Sequence, residues 1–318
     1  MARSADGDNA RLDDAARAGW LYYVAGNTQD EIAKKLGVSR QSAQRLVSLA
    51  ISERLIKVRL DHPIARCMEL ASMLRKRFDL RYCEISPSDP TTASSTLGIS
   101  QVAAAEMERW LRRADPVVIG IGTGRTMRSV ADQLPPMECP QHRLVGLVGT
   151  TKTDGSASFY DVIMRVSDTV RAPLYPMGAP VLARNAEERG LLTSLPSIRK
   201  VLSLVDQADA TFVGVGSIGE NTPLLKDGFI SDEENEALRR AGAVGEITGW
   251  AFDARGKLIE GLTNERVCSA PLRQPTERLM IGVAMGPSRR AAIRGALTGQ
   301  LISGLVTDEA TAEHLLRR

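Results

Sequence analysis

At 318 residues the chain is too long for one small domain and suits two. Hydrophobic residues make up 43% and charged residues 25%, which excludes a disordered or fibrous chain, and no apolar run approaches the ~20 residues of a membrane span. The net charge is only +3, but between Glu31 and Leu60 seven basic residues (Lys34, Lys35, Arg40, Arg45, Arg54, Lys57 and Arg59) oppose only Glu31 and Glu53. Such a local excess is either a footprint for a polyanion or a solvated helical face.

Asp13–Ala25 predicts a helix burying Ala16, Trp20 and Val24, stopped at Gly26 and Asn27. Thr28-Gln29-Asp30-Glu31 has the capping-box pattern and opens a second helix, buried through Ile32, Ala33 and Leu36 and broken at Gly37. Val38 fills the corner, and Ser39 suits the N-cap of a third helix. That helix buries Ala43, Leu46, Val47 and Ala50, at helical spacing. Its other face carries Arg40, Gln41, Ser42, Gln44, Arg45 and Ser48. Gln pairs bidentately with adenine and Arg with guanine, while Ser and Arg hold phosphates. A short helix, a glycine turn and a capped third helix with this face predict a DNA-binding helix-turn-helix. Leu55–Leu60 alternates like a short strand, either a wing that offers Lys57 and Arg59 to phosphate or a closing strand. Ile64–Phe78 reads as an amphipathic helix with Cys67, Leu70, Met73 or Leu74, and Phe78 on one side. It is a rigid connector, the first helix of the next domain, or both, and a candidate oligomer interface. The expected organisation is a helix-turn-helix domain over 1–60, a connector over 61–80 and a ligand-binding α/β domain over 81–318.

From Arg81 onward, β-branched runs alternate with helical stretches. The clearest strands are Val117–Ile121, Leu144–Val148, Thr211–Val215 and Leu279–Val283, with Leu301–Val306 next and a last helix from Asp308. This alternation predicts a mostly parallel sheet covered by helices, which binds ligands beyond the carboxyl ends of its strands. Gly122-Thr123-Gly124-Arg125-Thr126 follows the first of these strands and opens a helix, as a phosphate cradle would. It is not a Walker loop, and Arg125 stands where a dinucleotide fingerprint needs its third glycine. The alternative is a turn that only tightens strand-to-helix packing. Gly149-Thr150, Gly216-Ser217 and Gly286-Pro287-Ser288-Arg289 repeat the design after later strands. Together these loops suit an anionic polyhydroxyl ligand, with Arg125 and Arg289 as planar anion grips. Glu246 and Asp253 are the carboxylates placed to meet hydroxyls. A hairpin of Trp250–Phe252 with Lys257–Ile259, turning at Asp253–Gly256, is expected around the second of them.

The cysteines Cys67, Cys83, Cys139 and Cys268 form no CxxC pair, and His62, His142 and His314 stand apart. No metal, cofactor or disulfide framework is therefore expected. The N-terminus MARSADGDNARLDD has no apolar core of a signal peptide, so the cytoplasm is the expected location.

The helix-turn-helix, the GIGTGRT loop, Ala172–Pro176 (APLYP), ADATFVGVG, GEITGWAFDARG and the closing MGPSRRAAIRGALTGQLISGLVTDEATA stand in an order that resembles the SorC family of sugar-binding bacterial transcriptional regulators, which are DeoR-like in responding to effectors. The resemblance covers nearly the whole chain from Arg11. It implies operator DNA as partner, a homotetramer or dimer, a repressor or activator of a carbohydrate catabolic operon, and a sugar-phosphate-isomerase-like effector domain. It implies a sugar, polyol or phosphorylated effector at Gly122–Thr126, Gly149, Thr150, Gly216, Ser217, Glu246, Asp253, Gly286 and Arg289. Three positions depart from the family. Arg289 replaces a lysine, Met285-Gly286 a double glycine, and Gly245-Glu246 a Gly-Asp pair. An arginine binds an anion but forms no Schiff base. The rival readings are an isomerase-like enzyme, with Asp154, Glu246 and Asp253 as acid–base candidates, and a DNA-binding protein whose second domain serves assembly alone. Neither shows a signature of its own, and no enzyme activity is expected.

Overall fold

The computed structural model describes residues 5–53, 55–56, 64–88, 95–151, 156, 162–220, 222–274 and 276–317, with 5–9 and 150 described by their backbone alone. The chain forms two compact units, 1–62 and 63–318.

The first unit holds α1 (Ala5–Tyr23), α2 (Gln29–Leu36) and α3 (Arg40–Ser52). Thr28 and Glu31 make the expected capping box. The Glu31 carboxylate accepts the Thr28 N–H at 2.8 Å, and Thr28 Oγ1 accepts the Glu31 N–H at 3.4 Å. Gly37 ends α2 at φ 65°, a left-handed conformation that glycine adopts without strain, and Ser39 Oγ caps α3 by accepting from Ser42 N at 3.1 Å. Ala18, Ile32, Ala33, Ala43 and Val47 form the core, with Leu21, Leu36, Val38 and Leu46 packed around it.

The face expected for α1 is corrected. Trp20 is 55% exposed and Val24 66%, Ala16 is half-buried, and Ala15, Ala18 and Gly19 are buried instead. A Cβ added to Gly19 would lie 2.8 Å from Ala50 Cβ, so α1 meets α3 through small residues at close range. Large side chains on that line would hold the helices apart. Residues 57–60, and with them Lys57 and Arg59, lie outside the described residues.

The second unit opens with α4 (Ala65–Phe78), β1 (Tyr82–Ser86), α5 (Leu97–Leu111), β2 (Val118–Ile121), α6 (Arg125–Gln133) and β3 (Arg143–Thr151). It continues through α7 (Val162–Val170), β4 (Leu174–Pro180), α8 (Ala186–Ser194), α9 (Pro196–Val205), β5 (Ala210–Gly214), β6 (Gly216–Ser217), α10 (Pro223–Lys226) and α11 (Asp232–Arg240). The last elements are β7 (Ala243–Ile247), β8 (Trp250–Asp253), β9 (Met280–Val283), α12 (Arg290–Thr298), β10 (Gly304–Asp308) and α13 (Glu309–Leu316). Seven strands form one wholly parallel sheet in the order β1-β10-β9-β5-β2-β3-β4, while β6-β7-β8 form a small antiparallel sheet. All five residues of β10 and four of the five in β5 are buried, as expected of strands covered on both faces. The two edge strands are the ones with the weakest sequence signal. β4 carries Pro176 and Pro180, which an edge tolerates, and β1 interleaves Glu84 and Ser86 with its apolar residues.

Helix α4 turns Cys67, Leu70, Ala71 and Leu74 inward and leaves Met73 exposed, which decides between Met73 and Leu74. The expected Trp250–Ile259 hairpin is reduced to one bridge, Phe252–Leu258, closed by Asp253 N–H to Lys257 O at 2.9 Å. The longer pairing is β7 with β8. Thr248 and Gly249 turn it at φ 52° and 90°, the positive dihedrals of a tight two-residue hairpin.

Candidate functional site

In the first unit, α3 exposes Arg40, Gln41, Gln44, Arg45 and Ser48 on the side opposite Ala43 and Val47. Ser42 is half-buried, its Oγ 2.9 Å from Ser39 Oγ, so it belongs to the cap. Arg40 Nε lies 3.5 Å from Asp30 Oδ1, an exposed pair worth at most about 1 kcal/mol that leaves the guanidinium available to a phosphate.

In the second unit, the loops after β2, β5 and β9 meet over the carboxyl ends of the sheet in a pocket that opens to solvent. Thr123, Gly124, Arg125 and Thr126 form one wall. Gly124, at φ 104°, starts α6 without a side-chain cap, and the positive end of a helix favours an anion. Gly214, Val215 and Gly216 form the floor at the end of β5. Glu246, Thr248 and Gly249 enter from the β7–β8 hairpin, and Arg289 from the loop after β9. Pro223, Leu224, Asp227 and Phe229 cover the far side.

Four charged side chains share this space. Arg125 Nη2 lies 2.7 Å from Asp227 Oδ1. Arg289 donates to Met285 O at 3.3 Å. Burial lowers its pKa, and the like charge of Arg125 lowers it further. Glu246 lies deep in the pocket with part of its surface open to the cavity, and its carboxylate accepts Gly249 N–H at 2.9 Å. Burial holds the Glu246 carboxyl above the usual carboxylate range, against the opposing pull of that N–H and of Arg289. Gly216 lacks the Cβ that would sit 2.1 Å from Glu246 Oε1, so the glycine makes room for the longer acid.

Glu246 therefore opposes folding when ionised. Glu246→Gln is expected to leave stability unchanged at pH values where both folded and unfolded Glu246 are protonated. It should raise the melting temperature increasingly as pH climbs from the ordinary carboxyl range to the elevated folded value, and by a constant amount above that. Thermal melts across a pH series check this, and a gain that does not vary with pH would contradict it.

Of the residues predicted for the effector, Thr123, Gly124, Arg125, Thr126, Gly216, Glu246 and Arg289 come together in the pocket. Others serve the frame. Gly122 donates its N–H to Phe212 O at 2.8 Å within the sheet. Ser217 pairs with Gly245 in the small sheet. Gly286 donates its N–H to Thr311 Oγ1 at 2.9 Å. Gly149 faces Ala179 O, which a Cβ would approach to 1.7 Å. Asp253 stands outside the residues that line the pocket, and its Oδ1 accepts Arg255 N–H and Lys257 N–H at 2.8 and 2.9 Å and closes the turn. The side chain of Thr150 and all of Asp154 lie outside the described residues. Sequence reasoning missed Asp227, Leu224, Phe229 and Thr248. Of these only Thr248, beside the turn glycine Gly249, carried a sequence signal. Among the described residues no group of three His, Cys, Asp or Glu could hold a metal ion, and no helix is long and apolar enough to cross a membrane.

A family model described as "Putative sugar-binding domain" matches residues 62–317. The erythritol catabolism regulatory protein EryD of Brucella abortus is 32% identical over 302 residues, covering 95% of this chain and 96% of that protein. The transcriptional regulator LsrR of Klebsiella pneumoniae is 31% identical over 312 residues, covering 95% and 92%. The full-length sorbitol operon regulator SorC of Klebsiella pneumoniae superposes with a TM-score of 0.70 at 25% identity, covering 96% of this chain and 99% of that one. A capped helix-turn-helix joined to a parallel α/β unit with a pocket at its strand ends defines an effector-responsive transcriptional regulator. The chain belongs to the SorC family of sugar-binding transcriptional regulators. DNA and a sugar-type effector are its partners.

Proposed function

We propose that this regulator acts in the cytoplasm as a homo-oligomer, dimer or tetramer, and represses a polyol or sugar catabolic operon until its effector binds. The observation that carries the reading is the convergence of Arg125, Arg289, Glu246 and the start of α6 on one solvent-open pocket. Hydrogen-bonding groups of both signs, spaced around a partly apolar cavity, match a short polyol or its phosphate. The erythritol-related name of EryD supports a four-carbon polyol. In the first unit, Arg40, Gln41, Gln44, Arg45 and Ser48 read operator DNA. Oligomerisation supports this by pairing half-sites about 10 bp or a multiple apart. The effector regulates only by binding the DNA-competent and DNA-incompetent arrangements unequally. Helix α4, the first helix after the DNA-reading unit, carries that bias.

Arg289→Ala is expected to weaken a phosphorylated effector by about 1.5–3 kcal/mol, the worth of a charge-assisted hydrogen bond, while operator binding without effector persists. Anisotropy titration of operator DNA against erythritol and erythritol 4-phosphate, for wild type and Arg289→Ala, tests both statements. An effector that binds tightly yet leaves operator affinity, cooperativity and assembly unchanged would overturn the sensor reading.

A further inference from the structure

The pocket contains its own anion. Asp227 stands at the end of α10, on the segment that covers the cavity, and its Oδ1 is 2.7 Å from Arg125 Nη2. Arg125 is the first residue of α6, so Asp227 reaches the guanidinium at the helix start, where a phosphate would bind. The covering segment is held in place at its base. Thr222 Oγ1 accepts Gly219 N–H at 2.8 Å, and Asn235 Nδ2 donates to Gly219 O at 2.9 Å. The carboxylate is thus built into the wall. Arg289 faces Arg125 across the cavity, and Glu246 senses the charge of Asp227. With two arginines opposite two carboxylates, the pocket carries no surplus positive charge when both acids are ionised.

We propose that Asp227 sets the charge specificity of the effector pocket: it competes with phosphate for Arg125, so that an uncharged polyol enters with the cover in place and a phosphorylated one enters only by displacing Asp227. A phosphate beside an ionised Asp227 meets a like charge at short range, which disfavours the wrong partner as strongly as a direct contact favours the right one. A neutral polyol meets no such opposition, and its hydroxyls can donate to Glu246.

The inference rests on the reading of this pocket as the effector site, and the test separates the two. Full-length wild type, Asp227→Asn, Asp227→Ser, Arg125→Ala and Arg289→Ala are titrated calorimetrically with inorganic phosphate, erythritol and erythritol 4-phosphate, with melting curves confirming that each variant folds. Asp227→Asn and Asp227→Ser should each tighten inorganic phosphate and erythritol 4-phosphate by about tenfold or more and leave erythritol within about twofold. Arg125→Ala should weaken both phosphates. If Arg125→Ala weakens them but neither Asp227 variant changes the ratio of phosphate to polyol affinity, charge selection by Asp227 is refuted and the pocket assignment stands. If Arg125→Ala and Arg289→Ala leave every probe unaffected, the pocket assignment itself fails. If the Asp227 variants gain no phosphate binding that wild type lacks, the inference is again overturned, whatever erythritol does.

Discussion

Alanine at Arg40, Gln44 and Arg45 together is expected to remove sequence-specific operator binding altogether. All three side chains are exposed on the face of α3 that lies opposite Ala43 and Val47. Each bidentate base contact contributes about 1–3 kcal/mol of discrimination. Three lost contacts approach the margin of about 4–10 kcal/mol that separates specific from non-specific binding. The fold should not suffer. Alanine is the best helix former, the Ser39 cap is untouched, and the Arg40–Asp30 pair is too exposed to matter. Gln44→Ala alone should relax a single base position. Anisotropy with operator and with scrambled DNA measures the loss, and a melting curve equal to wild type separates it from unfolding. Retained preference for operator in the triple variant would remove α3 from the DNA-reading role.

Gly149→Ala is expected to be the most damaging small substitution in the second unit. A Cβ there would sit 1.7 Å from Ala179 O, 2.8 Å from the Ala179 carbonyl carbon and 2.9 Å from that of Pro180. All three are backbone atoms of the neighbouring edge strand, so no side chain can swing aside. The β3–β4 register, which shifts on both sides of Gly149, has to open. A cost of about 3 kcal/mol or more follows, lowering the melting temperature by roughly 6–12 °C for a unit of this size. Gly178→Ala, on β4 itself, is the control. Its Cβ would meet only Ile198 Cδ1, at 3.5 Å, an ordinary contact. Calorimetry of both variants checks the contrast, and equal melting temperatures would show that the close approach does not constrain the sheet.

The parts legible in the sequence are those whose cause is local. The Thr28–Glu31 box, the Gly37 turn and the Ser39 cap are each fixed by residues a few positions apart, and the central strands announce themselves because both faces are buried. The illegible parts depend on what lies across the fold. Trp20 and Val24 look like core because they are large and apolar, yet the close packing of α1 on α3 needs Ala18 and Gly19 there. Gly149 resembles a ligand loop after a strand, and only the path of β4 shows that its missing side chain accommodates a carbonyl. Asp253 looks like a hydroxyl acceptor, and only the turn shows that its Oδ1 already accepts two backbone N–H groups. Asp227 was invisible for the opposite reason. Nothing near it in sequence hints at a ligand, and its meaning comes from Arg125, which follows a strand far earlier in the chain.

The edge pairing of the large sheet bears on the order in which the protein becomes competent during synthesis. β1 pairs along its whole length with β10, from Tyr82–Gly304 to Ser86–Asp308. Helix α4 is tied to the last helix by the Arg66–Glu313 ion pair and by Arg77 donating to Leu316 O. The first strand of the ligand unit therefore has no partner until the last strand has been translated, and closing so distant a contact is slow. The core of the first unit, Ala18, Ile32, Ala33, Ala43 and Val47, comes from one short stretch of chain and can form while the rest is still being made. A growing chain carries a finished DNA-reading unit together with an unclosed sheet. The sheet that carries the pocket closes only when residues 304–308 emerge and pair with β1 and β9.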